Sequence, residues 1–166
     1  ELAKCHEVII PWAPGYGRST LPDSLTEIDD ISYLYLDLLD RFDLTNVKMM
    51  GFSVGGWIAA EIATKNCGRI DRLVLVDTVG AKFGGPFDRD IEDIYYLPTE
   101  QVRRLKFHDG ARDPLAEMGA LSRKRATAVA RHRETTAKFC WEPYFHNPSL
   151  KNRLGRIQVE TLVIWG

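Results

Sequence analysis

The chain has 166 residues, 45% hydrophobic and 27% charged, which is enough apolar mass for one packed core with a modest insertion. Its 22 Lys and Arg against 23 Asp and Glu leave a net charge of −1, so no nucleic-acid electrostatic footprint is present. No apolar run reaches the length of a membrane span and no signal peptide is visible.

Glu7 to Pro11 (EVIIP) reads as a short buried strand, and Pro14-Gly15-Tyr16-Gly17-Arg18-Ser19 as a turn-rich loop. Ser24-Leu25-Thr26-Glu27 has capping-box spacing, which predicts a helix running to about Phe42. Ile28, Ile31, Tyr35, Leu38, Leu39 and Phe42 recur at helical spacing and predict its buried face. Asn46 to Met50 is strand-like, and Val54 to Thr64 helix-like with Ile58, Ala59, Ile62 and Ala63 inward. Ile70 to Asp77 is a third strand, whose unbroken run Leu73 to Val76 predicts cover on both faces.

Beyond Gly80 the pattern changes, with Gly84-Gly85-Pro86 as a boundary. Helices are predicted from Thr99 to Phe107, capped by Thr99, and from about Ala120 to Phe139. Arg123-Lys124-Arg125, with Arg131 and Arg133, reads as a solvated face or an anion patch. Glu160 to Trp165 returns to the sheet. Strands alternating with helices imply a mostly parallel α/β sheet, and a helical insertion before the last strand implies a lid over the strands' carboxyl ends. The expected organisation is a core over 1–80, a helical cap over 81–155 and a return strand over 156–166. The start at Glu1 and the stop at Gly166, directly after an apolar strand, predict an internal piece of a longer protein with exposed apolar sheet surfaces.

Cys5, Cys67 and Cys140 are odd in number, far apart and without metal spacing. They predict free thiols in a reducing, cytoplasmic compartment. The oligomeric state has no sequence signal.

Ser53 lies in Gly51-Phe52-Ser53-Val54-Gly55, between a strand and a helix. A strand that turns sharply into a helix through a serine flanked by glycines is a nucleophile elbow. Gly51 and Gly55 are expected where the two arms press together, with Gly56 keeping the approach open. The first free helical N–H groups, beginning with Val54, then face whatever Ser53 attacks. The bland alternative is a serine that merely starts a helix.

With these features placed, the chain resembles the α/β-hydrolase family over essentially its whole length, in its capped serine branch. The Pro14–Ser19 loop, the elbow Gly51–Gly56, and Trp141-Glu142-Pro143-Tyr144 with Asn147-Pro148 and the final strand carry the likeness. The resemblance implies a partial α/β-hydrolase fold with a helical cap and hydrolysis of a small ester or activated carbonyl compound, C–C bonds included. It implies Ser53 as nucleophile, Val54 N–H as an oxyanion donor, and neither metal nor organic cofactor. It places a His-Gly loop upstream of Glu7, the catalytic acid after Gly166 and the histidine further on. The stretch by itself is therefore expected to turn over no ester. A serine at the elbow argues against the branches of this family that use an aspartate there. A ligand-binding protein of the same fold without turnover stays open.

Other residues have competing readings. Trp141, Tyr144 and Phe145 are lid core or substrate-pocket wall. Asp77, at a strand end, orients a histidine or makes structural hydrogen bonds. His108 and His146 fall in the cap, His6 before the first strand, and His132 among arginines on a surface helix. Gly15-Tyr16-Gly17 lacks the third glycine of a dinucleotide fingerprint, so no nucleotide site is expected.

Overall fold

The computed structural model describes residues 1–85, 87–113 and 121–166. Among these, three strands form one parallel sheet in the order β1 (Val47–Phe52), β2 (Ile70–Val76), β3 (Glu160–Ile164). Phe52 pairs with Val76 and Val76 with Ile164, so all three strands end level at one carboxyl edge. Helix α2 (Val54–Lys65) makes the crossover from β1 to β2.

Helix α1 (Ile28–Arg41) starts three residues later than its Ser24 signal suggests, with Glu27 as N-cap. The Asp30 carboxylate decides this, accepting the Thr26 N–H at 2.8 Å and the Glu27 N–H at 3.0 Å. Those bonds favour the ionised form and hold the Asp30 carboxyl below its ordinary range. Ile28, Ile31 and Leu39 are buried as the periodicity predicts. Phe42 is exposed, because it follows the last helical residue and leaves the stripe.

Helix α2 is buried almost all round from Gly56 to Thr64, not only along Ile58, Ala59, Ile62 and Ala63. Its small residues let it lie close on the sheet, and Trp57 joins the same core as Leu73 and Leu75 of β2. Strand β2 alternates instead of being covered on both faces: Leu73 and Leu75 are buried, Val74 and Val76 half-buried. Leu162, Val163 and Ile164 of β3 lie exposed, as expected of apolar sheet surface.

Residues 7–11 do not form the expected strand. They join no ladder, and Ile9 and Ile10 are exposed. An apolar run becomes a strand only where a neighbouring backbone pairs with it, and β1 pairs only with β2 among the described residues.

In the cap region, α3 (Thr99–Lys106) has Pro98 rather than Thr99 as N-cap and no side-chain cap bond. Helix α4 (Arg123–Cys140) is capped by Ser122, whose Oγ accepts the Arg125 N–H at 3.4 Å. The short α5 (Leu150–Arg153) leads towards β3. Pro86 of the predicted boundary, and Ala120 at the predicted helix start, lie outside the described residues.

Helix α4 is stitched to the Pro14–Ser19 loop. Thr135 Oγ1 donates to Gly15 O at 3.3 Å, Gly17 N–H to His132 Nε2 at 3.0 Å, and Arg131 to Ser19 O at 2.6 Å. Tyr16 and Thr136 share a hydroxyl contact at 2.6 Å. His132 is thus a half-buried joint between two elements, not a surface histidine among arginines.

Candidate active site

Ser53 follows the last residue of β1 and serves as N-cap of α2, in a turn with φ 50° and ψ −118°. A non-glycine residue at positive φ stores of order 1–3 kcal/mol of strain and persists only where its surroundings over-determine it. Here they do. Ser53 N–H donates to Val76 O at 3.0 Å, and Ser53 O accepts the N–H of Trp57 at 3.1 Å and of Val79 at 3.4 Å. The residue itself is exposed at the carboxyl edge of the sheet.

The motif's glycines divide their duties differently from expectation. A Cβ on Gly51 would sit 2.6 Å from Gly56 Cα, and one on Gly56 would sit 2.8 Å from Thr78 Cβ. Those are the crowded positions. A Cβ on Gly55 would meet nothing within 4 Å. Gly55 supplies the backbone that Gly51 presses on, not a contact that excludes a side chain.

Beside the elbow, Asp77 follows the last residue of β2 at φ 43°. Its N–H donates to Ile164 O at 2.9 Å, and its Oδ1 accepts the Gly166 N–H at 2.8 Å. Thr78 Oγ1 is buried against Gly56 and has no hydrogen-bond partner among the described residues. Gly80, at φ 108°, lies against the Trp57 side chain, where any Cβ would collide with the indole. Its N–H donates to Phe145 O at 2.9 Å, and its carbonyl accepts the Asn147 N–H at 2.8 Å. The Thr78–Gly80 turn therefore joins the elbow to the segment carrying the predicted wall residues.

Those residues differ in placement. Phe145 is buried in the core at φ 51°, Tyr144 is half-buried and Trp141 is exposed. The Trp141 and Tyr144 rings meet edge-on at 6.1 Å, and Tyr144 and Phe145 at 4.8 Å. Tyr144 Oη accepts the Ile94 N–H at 2.9 Å and donates to Glu92 O at 3.2 Å. Burial raises the Tyr144 phenol above its ordinary range. It pushes the neighbouring Cys140 thiol up to about 12, so that sulfur stays neutral.

One residue escaped the sequence reading. Glu61, completely buried on α2, accepts Trp57 Nε1–H at 3.2 Å and Asn147 Nδ2–H at 2.7 Å, both on Oε1. Its Oε2 pairs with Lys65 at 3.2 Å, and Lys65 also meets Asp29 at 2.8 Å. The available signal was a single acid within Trp57-Ile58-Ala59-Ala60-Glu61-Ile62-Ala63, since a charge in an otherwise apolar helix needs buried partners.

The histidines lie apart from one another. His6 is 3.0 Å from Cys5 Sγ and 3.4 Å from Lys48 Nζ, and His108 is exposed. His146 Nδ1 lies 3.0 Å from Tyr144 O, and His132 binds the loop as described. Gly17 N–H is thereby engaged by an imidazole. A groove of about 610 Å³ between Leu21 and α4 is lined by Arg131, Glu134, Thr135 and Lys138, of which only Arg131 belongs to the basic run read as a solvated face or an anion patch. Cys5, Cys67 and Cys140 are free thiols. Among the described residues no group of three His, Cys, Asp or Glu side chains is placed to hold a metal, and no helix is long and apolar enough to cross a membrane.

With that geometry in view, residues 1–166 match the family model described as the alpha/beta hydrolase fold. The 2-hydroxymuconate semialdehyde hydrolase of Pseudomonas sp. (strain CF600) is 32% identical over 108 residues, covering 63% of this chain and 38% of the relative. A 2-hydroxy-6-oxononadienedioate/2-hydroxy-6-oxononatrienedioate hydrolase of Pseudomonas putida is 28% identical over 172 residues, covering 96% of this chain and 59% of the relative. The chain thus spans less than two thirds of the length of each of these two relatives. Among solved structures, the meta-cleavage product hydrolase from Pseudomonas fluorescens IP01 superposes with a TM-score of 0.57 at 20% identity, covering 99% of this chain and 73% of that one.

Proposed function

The chain belongs to the alpha/beta hydrolase fold family, and from that premise we propose that the whole protein is a serine hydrolase in which Ser53 is the nucleophile. The observation that carries this is the strained, exposed Ser53 corner between β1 and α2, closed by the crowded Gly51–Gly56 contact. Ser53 Oγ attacks the substrate carbonyl while a histidine base takes its proton. Val54 N–H, the first of α2 and without an intrahelical partner, receives the developing oxyanion. Losing one such donor costs about 3–4 kcal/mol of barrier. The leaving group departs as an alcohol, or as a stabilised carbon acid where a C–C bond breaks, and water clears the acyl-enzyme. Trp141 and Tyr144, with Phe145 packed behind them in the core, form the substrate wall within a cap over 81–155.

The substrate class we assign is a small molecule with an activated carbonyl, of the hydroxy-oxo acid kind that the relatives' names print, with simple esters as surrogates. The test is turnover of an aryl acetate and of a 2-hydroxy-6-oxo-dienoate by the full-length protein, beside Ser53→Ala. Turnover of both, lost in Ser53→Ala, is the expected result. Turnover of neither, with both ligands still bound, would instead mark a binding protein of this fold.

A further inference from the structure

A closed circuit of contacts links the elbow to the 141–147 segment, and Glu61 is its one buried charge. From Ser53 the circuit runs to Trp57 through the first helical bond, at 3.1 Å. It passes from Trp57 Nε1 to Glu61 Oε1, and from there to Asn147 Nδ2 at 2.7 Å. Asn147 N–H then meets Gly80 O at 2.8 Å, and Val79 N–H returns to Ser53 O at 3.4 Å. Gly80 lies directly against Trp57, so the ring of contacts has no slack at its centre. A buried carboxylate is tolerated only when its partners are held in place, which makes this acid a fixed point and not a sliding contact. An apolar residue at 61 would pack without specifying where Asn147 sits.

We infer that Glu61 is a positioning residue: through Asn147 it sets how far the Trp141–Phe145 wall stands from Ser53, and so which acyl groups fit. The inference rests on the reading of Ser53 as nucleophile. A short acyl group is turned over without using the wall, while a long one requires it. The relevant readout is therefore the ratio of kcat/KM for a long-chain and a short-chain aryl ester. That ratio is independent of the fraction of protein that is folded, so a purely stabilising role for Glu61 leaves it unmoved.

The experiment compares the full-length wild type, Asn147→Asp, and the double variant Glu61→Gln with Asn147→Asp. The single variant sets two carboxylates against each other; the double variant exchanges donor and acceptor between positions 61 and 147, at the loss of one of the bonds that Trp57 and Lys65 donate to the Glu61 carboxylate. The long-to-short ratio is expected to fall at least about tenfold in Asn147→Asp and to recover to within about threefold in the double variant. Hydrogen exchange at the Gly80 and Asn147 amides should accelerate and recover in parallel. An unchanged ratio in Asn147→Asp, or unchanged exchange at both amides, would overturn the inference. Should the single variant fail to fold, a ratio still tenfold low in the double variant would do the same. Absence of turnover of any ester or dienoate in the wild type would instead overturn the reading of Ser53, and the exchange data would still decide whether Glu61 anchors the segment.

Discussion

Ser53 and Asp77 turn the same corner on neighbouring strands. Each follows the last residue of its strand, each has positive φ (50° and 43°), and each donates its N–H to the last residue of the next strand over. Ser53 reaches Val76 O at 3.0 Å, and Asp77 reaches Ile164 O at 2.9 Å. The repeat shows that the corner is a property of the sheet's carboxyl edge. What differs is what each side chain does there: Ser53 lies exposed beside α2, while Asp77 Oδ1 is engaged by Gly166 N–H at 2.8 Å.

That contrast predicts a structural role for Asp77. Asp77→Asn keeps an acceptor for Gly166 and is expected to hold kcat/KM of the full-length protein within about threefold. A triad acid changed to its amide loses about 10,000-fold in turnover. Steady-state kinetics of this one variant separate the two roles.

The elbow glycines give a graded prediction. Gly51→Ala and Gly56→Ala force a methyl into occupied space and should each destabilise by about 1–3 kcal/mol or more. Gly55→Ala enters open space and should change stability by less than about 1 kcal/mol. Urea denaturation of the three variants reads the order directly, and equal losses at all three would contradict the geometry.

Asp30 predicts a sign for acid sensitivity. Its carboxyl is lowered in the fold, chiefly by the Thr26 N–H, so its contribution is complete above the ordinary carboxylate range. It is lost as pH falls through the lowered value, on the acid side of about pH 4. Asp30→Ala should cost about 1 kcal/mol at neutral pH, and the difference from wild type should shrink in acid. Thermal unfolding across pH 2–7 (roughly that window) measures both.

The thiols should react in a fixed order. Cys5 is exposed, Cys67 is half-buried with its Sγ donating to Ala63 O at 3.0 Å, and Cys140 is buried with its thiol pushed up to about 12. Iodoacetamide is expected to label Cys5 within minutes and Cys140 only on unfolding. Because the Cys140 value is raised, its contribution to stability is whole below the free-thiol range and is lost as pH climbs through about 12. Early labelling of Cys140 at neutral pH would contradict its placement.

Local signals were the legible part of the fold. The strand–turn–helix around Ser53, the periodicity of α1 and the apolar runs of β2 and β3 each express a rule that acts over a few residues. What escaped depends on distant partners. EVIIP has the composition of a strand, yet its pairing is decided elsewhere in the chain. Ser24 matches a capping box in spacing, but Asp30 outbids it by binding two backbone N–H groups. His132 reads as one more polar residue of a basic helix, and its partner Gly17 is far away in sequence. Glu61 was the most telling omission, because the only hint of its role was the cost of burying it.

The role of Ser53 as nucleophile is tested most directly by covalent labelling of the full-length protein with an active-site-directed fluorophosphonate, followed by peptide mass spectrometry. One stoichiometric adduct is expected on Ser53, absent in Ser53→Ala and accompanied by loss of ester turnover. Turnover that survives Ser53→Ala, or an adduct on another serine with Ser53 unlabelled, would contradict it.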